Sequence, residues 1–355
     1  MTWSTPLARR SKTLSASLGL GEKLFASSDE RRFADAIETA LETVESGLLR
    51  EVAFADEIAN VTSRYLLEAG GKRIRPVLTL LTAQLGEGAT PEVITAAQAI
   101  EITHLASLYH DDVMDEAELR RGVPTAQHKW GNSVAVLTGD LLFARASKLV
   151  ASLGQEAITL QADTFERLCL GQLHETLGPR PGDEPIEHYL QVLADKTGSL
   201  IAAAAQMGVV FSRADPAYAL PVVAFGEKIG VAFQLIDDVI DLAEPEAGTG
   251  KAQGTDLRSG VATLPLLYLR RAALTDSDAA DLLARIERNV DENGGDEAEF
   301  ADAIAALRAH PVTAETLVEA RRWADDAIAG LAPLPDGSVK KALTKFAEAV
   351  VGRTT

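Results

Sequence analysis

From Asp29 onward, apolar residues recur at helical spacing almost without a gap, and strict alternation of apolar and polar residues is scarce. Start and stop signals divide this pattern into helices. Thr90-Pro91-Glu92 sets an N-cap residue before a proline at the first helical position, predicting a helix that runs to about Asp115. Asp215-Pro216 repeats the signal ahead of a long apolar segment ending near Asp241. Between them, helices are expected over about 132–153, 155–177 and 186–211, separated by Gly-rich or Pro-rich breaks such as LGPRPGDEP. None of these breaks is long enough for a flexible interdomain linker. Residues 30–355 therefore read as one all-α domain. Residues 1–29, with Ser, Thr, Gly and four basic residues, read as a loosely held arm or as a contact for a partner or membrane surface. The final third carries shorter amphipathic helices and an acidic loop, DENGGDE, whose charge reads as solvated surface.

Composition agrees with the pattern. The 355 residues are rich in Ala and Leu with only 5% aromatics, a balance that favours helices. The formal net charge of -18 argues against general nucleic-acid binding, so any anion site has to be assembled locally from a few cations. A single cysteine, Cys169, permits no internal disulfide, and the chain opens without a signal-peptide pattern. No run approaches the roughly 18 apolar residues of a spanning helix. The expected compartment is the cytoplasm.

Against that background, YHDDVMDEAELRRG concentrates carboxylates where they must repel one another. ASLYHDDVMD at 106–115 is echoed by AFQLIDDVID at 232–241, with the aspartates in the same register. On a helix, residues i, i+1 and i+4 project from nearby angles, so Asp111, Asp112 and Asp115 are expected on one face, as are Asp237, Asp238 and Asp241. A lone DDxxD reads as solvated surface charge. Here each cluster ends an apolar run that should be buried, and carboxylates near a core need cations. A hard cation that takes a few carboxylates plus phosphate oxygens is Mg²⁺. Calcium loops and di-iron bundles need ligand patterns that are not found at these positions. His104 and His110 flank the first cluster, where packing and function remain equally open.

Cations accompany the clusters. GGKRIRP supplies Lys72, Arg73 and Arg75 at a helix start, where free backbone N–H groups favour anions. Arg120 and Arg121 follow the first cluster, Lys196 lies in DKTGS, and Lys251 lies in TGKAQGTDL. The pattern suggests two anion sites, one using metal and one using Arg and Lys.

Taken in order, GGKRIRP, HLASLYHDDVMDEAELRRGVPT, GD at 139–140, KTG at 196–198, FQLIDDVID and GKAQGTDL followed by TLP resemble the trans-isoprenyl diphosphate synthases, or polyprenyl synthetases. The resemblance spans about residues 35–352. It implies a helical bundle around a central cavity, assembled as a homodimer, with the aspartate clusters facing across the mouth. It implies Asp111, Asp115 and Asp237 as metal ligands, supported by Asp112, Asp238 and Asp241, with three Mg²⁺ ions in the ternary complex. Arg120, Lys196 and Lys251 would hold an allylic diphosphate, and Lys72, Arg75, His104 and Arg121 isopentenyl diphosphate. Gln234 and Thr197 would lie beside the reacting carbons, while Arg73 receives no role. The implied reaction is head-to-tail condensation, with transient membrane association for product release. One departure stands out: many relatives carry Lys where this chain has Val261. A terpene cyclase is the nearest enzymatic rival, and a regulatory subunit of a heteromeric synthase is the rival from another class. GGKRIRP and intact aspartates in both clusters argue against each in turn.

Product length is expected to follow from the helix before Asp111. Ala106, Ser107, Thr103, Ala99 and Ala96 are all small and recur at helical spacing. From residue 107 to 96 the helix spans about 17 Å at ~1.5 Å per residue. A product longer than geranylgeranyl diphosphate is expected, of the kind used as a quinone side-chain precursor; the alternatives are a geranylgeranyl or farnesyl diphosphate synthase and, for the small residues themselves, ordinary helix packing.

Overall fold

The computed structural model describes residues 28–243, 253–290 and 296–354. Residues 1–27 of the arm, Lys251 and residues 291–295 of the acidic loop lie outside the described residues.

Helices α1 (Ser28–Glu51), α2 (Glu57–Glu68) and α3 (Ile74–Ala83) lead into α4 (Pro91–Met114). A ribbon of β1 (Leu119–Arg120) and β2 (Val123–Pro124) and a short α5 (Ala126–Trp130) precede α6 (Asn132–Leu153), α7 (Gln155–Leu177) and α8 (Pro185–Leu193). A π-helical turn, Ala194–Gly198, joins α8 to α9 (Ser199–Phe211), and a 3-10 turn, Pro216–Tyr218, opens α10 (Ala219–Asp241). Then come α11 (Thr255–Arg258), α12 (Leu264–Ala272), α13 (Ser277–Val290), α14 (Glu297–Ala309), α15 (Pro311–Gly330), α16 (Ser338–Val351) and a 3-10 turn, Gly352–Thr354. The all-α expectation holds, since the antiparallel ribbon is the only sheet among the described residues.

Local chemistry sets the helix starts. Thr90 accepts from the Val93 amide at 3.2 Å and donates to the Phe211 carbonyl at 3.0 Å, tying the start of α4 to the end of α9. The helix expected over 186–211 is divided by the π turn. A Cβ on Gly230 would lie 2.6 Å from the Gly198 Cα, and one on Gly171 would lie 2.7 Å from the Lys196 amide nitrogen. Periodicity could not signal that break, because it depends on how closely α7 and α10 pass.

Helix α10 serves two apolar cores. Phe225, Ile229 and Ala232 pack in a cluster with residues of α1, α3, α4 and α6, while Val231, Leu235 and Ile236 pack with residues of α12 and α14. Contrary to expectation, residues 216–241 are long and apolar enough to cross a membrane by length and composition. Half of that apolar window is buried inside the protein, and aspartates close the helix, which marks it as a core element.

The α3–α9 crossing is held by close backbone approach. Thr79 Oγ donates to the Ala204 carbonyl and Thr82 Oγ to the Ala205 carbonyl, each at 2.9 Å. A Cβ on Gly208 would sit 2.0 Å from Thr82 Oγ and 2.3 Å from the Thr79 carbonyl oxygen. Gly208→Ala should therefore separate the two helices and cost roughly 1–3 kcal/mol, as overpacking does. Chemical denaturation measures it, and an unchanged midpoint would contradict this account of the crossing.

Candidate active site

Both aspartate clusters stand at helix C-termini, where unpaired carbonyls already carry negative partial charge and disfavour further anions. In the first cluster, Asp115 is the exposed C-cap of α4 and Asp111 is half-buried one turn before it. Burial pushes the Asp111 carboxyl up to about 6, with Asp115 and Glu175 adding to the shift and Lys196 and Arg120 opposing it. Asp112 does not share their environment. It is fully buried, its Oδ1 accepts from Arg120 Nε at 2.6 Å, and its Oδ2 has no hydrogen-bond partner.

The second cluster is divided in the same way. Asp237 accepts from Arg353 Nη2 at 2.6 Å. Asp238 is buried and accepts from the Tyr189 hydroxyl at 2.6 Å. Burial lifts its carboxyl well above the usual range, and bonds from Tyr189 and Gln234 oppose that shift. Asp241 is also buried. Its carboxylate accepts the Asp256 amide at 3.0 Å and its carbonyl the Gly254 amide at 2.9 Å, so it anchors the turn leading into α11. The expectation of one face for three aspartates thus fails in both clusters: Asp112 alone turns into the core in the first, while Asp238 and Asp241 both do so in the second and leave Asp237 at the surface of the site.

Beside the first cluster lies a concentration of arginine, with Arg120 bonded to Asp112 and Arg75 within the field of Asp111. His104 is held well below its ordinary pKa by burial and then by Arg75, Arg121, Arg120 and Arg73, so the imidazole is neutral at physiological pH. Burial pushes Arg75 and Arg121 down to about 10, which leaves both cationic. Arg75 Nε is buried without a partner, a donor that an anion would satisfy. Arg73 plays a different part: it pairs with Glu101 at 3.0 Å and Glu45 at 3.5 Å and pins the loop. Arg73 and Arg121 both adopt left-handed backbone with φ of 54°. A Cβ on Gly71, whose φ is +149°, would lie 2.5 Å from Arg73 Nη1 and 2.9 Å from Arg121 Nη2, so glycine is required between the two guanidinium groups. Arg121 donates to the Leu66 carbonyl at 2.7 Å and to the Gly70 carbonyl.

Two more cations complete the picture. Lys72 stands 5.6 Å from the Phe233 ring centroid and Arg353 stands 4.5 Å from the same centroid. Burial lowers the Lys72 pKa, Arg353 adds to the shift, and Asp237 opposes it. Lys196 donates to Glu175 at 2.5 Å, and although burial works against its charge, Glu175 and Asp111 hold its pKa above the ordinary value. Thr197 is half-buried beside it. Glu175 also acts on Tyr189, so its field reaches Asp111 of the first cluster and the hydroxyl that bonds Asp238 of the second.

Glu175, Tyr189, Asp256 and Arg353 are the residues that sequence reasoning missed. Glu175 left a faint signal, one helical turn after Gly171 on the face that meets Lys196. Arg353 left none. The small residues of α4 separate: Ala96 packs with Leu168, Leu200 and Met207, Ala99 with Val150 and Ala157, and Ala106 in the largest core cluster. Thr103 and Ser107 are buried, and their hydroxyls donate to the carbonyls of Ala99 and His104.

Among the described residues, no three Asp, Glu, His or Cys side chains gather closely enough to cage an ion alone. Asp111, Asp115 and Asp237 are carboxylate-oxygen donors, the chemistry that suits a hard cation which keeps waters and shares phosphate oxygens.

Residues 56–306 match the family described as Polyprenyl synthetase. The chain is 42% identical to "Nonaprenyl diphosphate synthase" of Mycobacterium tuberculosis over 346 residues, 97% of this chain and 99% of that one. It is 35% identical to "Heptaprenyl diphosphate synthase component 2" of Geobacillus stearothermophilus, covering 91% of this chain and 95% of that one. The fold matches a polyprenyl synthase from Caulobacter crescentus, crystallised with calcium and isoprenyl diphosphate, with a TM-score of 0.82 at 31% identity, covering 92% and 98% of the two chains. A helical bundle carrying paired aspartate clusters and matching these proteins along almost its whole length is a prenyltransferase. The chain belongs to the polyprenyl synthetase family.

The raised Asp111 carboxyl makes a signed prediction. A carboxyl whose folded pKa of about 6 exceeds its ordinary 3.8 penalises the folded state at neutral pH, and the penalty fades as pH falls through 6 towards 4. Asp111→Asn should stabilise the metal-free protein at pH 7.5 by about 1–3 kcal/mol, and the gain should shrink towards zero near pH 4. Denaturant titrations at both pH values measure this; a variant less stable than wild type at pH 7.5 would contradict the assigned burial cost.

Proposed function

We propose that the chain condenses isopentenyl diphosphate head-to-tail with an allylic diphosphate, using Mg²⁺, to build a trans-polyprenyl diphosphate longer than geranylgeranyl diphosphate. The observation that carries this reading is the proximity of two unfinished charge sets: an aspartate desolvated near a helix C-terminus, and arginines within its field gathered around a neutral histidine. A diphosphate with its cations completes both. Asp111, Asp115 and Asp237 are the ligands proposed for the metal, with three ions in the ternary complex. Bound there, Mg²⁺ supplies Lewis-acid neutralisation of the departing diphosphate.

The protein's own groups divide the remaining work. Lys196 stays charged and meets the allylic leaving group, with Arg120, which also fixes Asp112, beside it. Arg75, Arg121 and Lys72 bind the second diphosphate, and neutral His104 adds a hydrogen-bonding group without adding charge. Gln234 and Thr197 line the reacting carbons. The isopentenyl double bond attacks the allylic carbon as the C–O bond breaks, and a proton leaves, with the released diphosphate as its acceptor. No protein nucleophile is needed. Lys251 belongs to this proposal from its sequence motif alone.

The product length is supported by relatives named for nonaprenyl and heptaprenyl products. A homodimer is supported by exposed Val136, Leu137 and Leu141 on α6 and Leu170, Leu173 and Leu177 on α7, an apolar surface that a second copy would cover. The name of the Geobacillus relative, component 2, favours a second reading in which the chain acts only with another subunit.

One assay separates these readings. The purified chain should elongate farnesyl diphosphate with isopentenyl diphosphate in Mg²⁺ and stop in EDTA, with products identified by mass spectrometry. Equal elongation in EDTA would sink the metal assignment, and an inert chain would favour the second reading. Asp111→Ala and Asp237→Ala should each lower turnover by roughly 100-fold or more; near-normal turnover in either would move the metal site elsewhere. For product length, Ala106→Phe should shorten the chain sharply and Ala99→Phe less so. Identical full-length products from both would show that this side of α4 does not limit growth.

A further inference from the structure

We propose that Arg167 is a positioning residue for the allylic-diphosphate cation, acting by clamping the π turn that carries Lys196 and Thr197. The proposal rests on the reading of Lys196 given above. Arg167 itself belongs to neither aspartate cluster and to neither cation set.

The geometry is that of a three-way tie. From α7, Arg167 Nε and Nη2 donate to Asp195 Oδ1 at 2.9 and 2.7 Å, and Nη1 donates to Glu227 Oε2 on α10 at 2.7 Å. The other oxygen of Asp195 accepts from Gln191 of α8 at 2.8 Å. One guanidinium therefore joins the turn to two helices, and the residue it holds is the immediate neighbour of Lys196.

The same helix face makes the other contacts with the turn. Residues 167, 171 and 175 are spaced i, i+4 and i+8, a single stripe along α7. Arg167 grips Asp195, Gly171 brings α7 so close that a Cβ would lie 2.7 Å from the Lys196 amide nitrogen, and Glu175 accepts from Lys196 Nζ at 2.5 Å. On the far side, a Cβ on Gly198 would lie 2.9 Å from the Glu227 carbonyl oxygen. A π turn is a rare form of helix that recurs at functional sites. This one is bracketed by α7 and α10, with Arg167 as the polar link between them.

Two features separate positioning from plain stability. The Arg167 and Glu227 side chains are 39% and 36% exposed and Asp195 14%, so the Glu227 arm contributes little to the global fold, and the Asp195 arm acts locally, on a turn already packed between α7 and α10. A shift of about 1 Å in the turn, by contrast, would carry the ammonium of Lys196 out of register with its diphosphate, which costs affinity and rate steeply. Loss of the clamp should therefore appear on one substrate and hardly at all in melting temperature.

The test uses the full chain with farnesyl diphosphate, isopentenyl diphosphate and Mg²⁺. Binding of farnesyl thiolodiphosphate, in which sulfur replaces the leaving oxygen, is measured by calorimetry as a second readout. Arg167→Gln should raise the KM for farnesyl diphosphate and the Kd of the analogue about tenfold while changing the KM for isopentenyl diphosphate by less than about twofold. Arg167→Lys, which reaches one carboxylate, should fall between wild type and Arg167→Gln. Should Arg167→Gln not fold, Glu227→Gln loosens one arm of the clamp and is expected to move the same constants in the same direction.

Lys196→Gln is the control. It should raise the same constants, and adding Arg167→Gln to it should change them by less than about twofold, because the clamp then has nothing left to position. Equal losses for both substrates together with a lowered melting temperature would overturn the proposal, as would unchanged constants in Arg167→Gln or full additivity in the double variant. If Lys196→Gln itself leaves the analogue's affinity intact, the reading of Lys196 fails and the clamp falls with it.

Discussion

Carboxylates held at the C-terminal ends of two core helices are the constraint on which the rest of the structure depends. Apolar α4 and α10 bring Asp111 and Asp237 to helix ends where the helix dipole works against negative charge, and at Asp111 burial and neighbouring carboxylates add to it. The fold answers this locally, residue by residue. Arg120 takes Asp112, Tyr189 takes Asp238, the Asp256 amide takes Asp241, and Arg353 takes Asp237. What remains is Asp111 near the end of α4, whose carboxyl burial still raises despite Lys196 and Arg120, with exposed Asp115 one turn beyond it.

The arginine side shows the complementary strain. Guanidinium groups at Arg73, Arg75, Arg120 and Arg121 act together on one histidine, and burial lowers the pKa of two of them. Two adopt left-handed backbone, a conformation that costs non-glycine residues energy and persists where the surroundings enforce it. Here the enforcing groups are Glu101, Glu45 and the carbonyls of Leu66 and Gly70. Both halves of the site are thus built in a state that binding of opposite charge relieves, which places part of the binding energy in the folded protein before substrate arrives.

Much of this was legible in the sequence, and what was hidden has a common cause. Helix bounds at Asn132–Leu153, Gln155–Leu177 and Pro91–Met114 followed from glycine breaks and from Thr90-Pro91, signals that act within one turn. The family followed from an ordered set of motifs. The π turn stayed hidden because it depends on Gly230 meeting Gly198 across a helix crossing. The division of labour within each DDxxD stayed hidden because it depends on Arg120 and Tyr189, neither of which belongs to the helix it serves. Arg353 lies far along the chain from Asp237, and no local pattern announces that contact. Spacing names the groups that carry charge, and only packing tells which of them are already paired.

The central claim is that the aspartate clusters are incomplete metal sites that a diphosphate completes. Calorimetric titration of the full chain with Mg²⁺, alone and with saturating inorganic diphosphate, tests it most directly. The account predicts weak binding without diphosphate and affinity tighter by at least about 100-fold with it, a coupling of roughly 3 kcal/mol. Tight Mg²⁺ binding by the protein alone, unchanged by diphosphate, would contradict it.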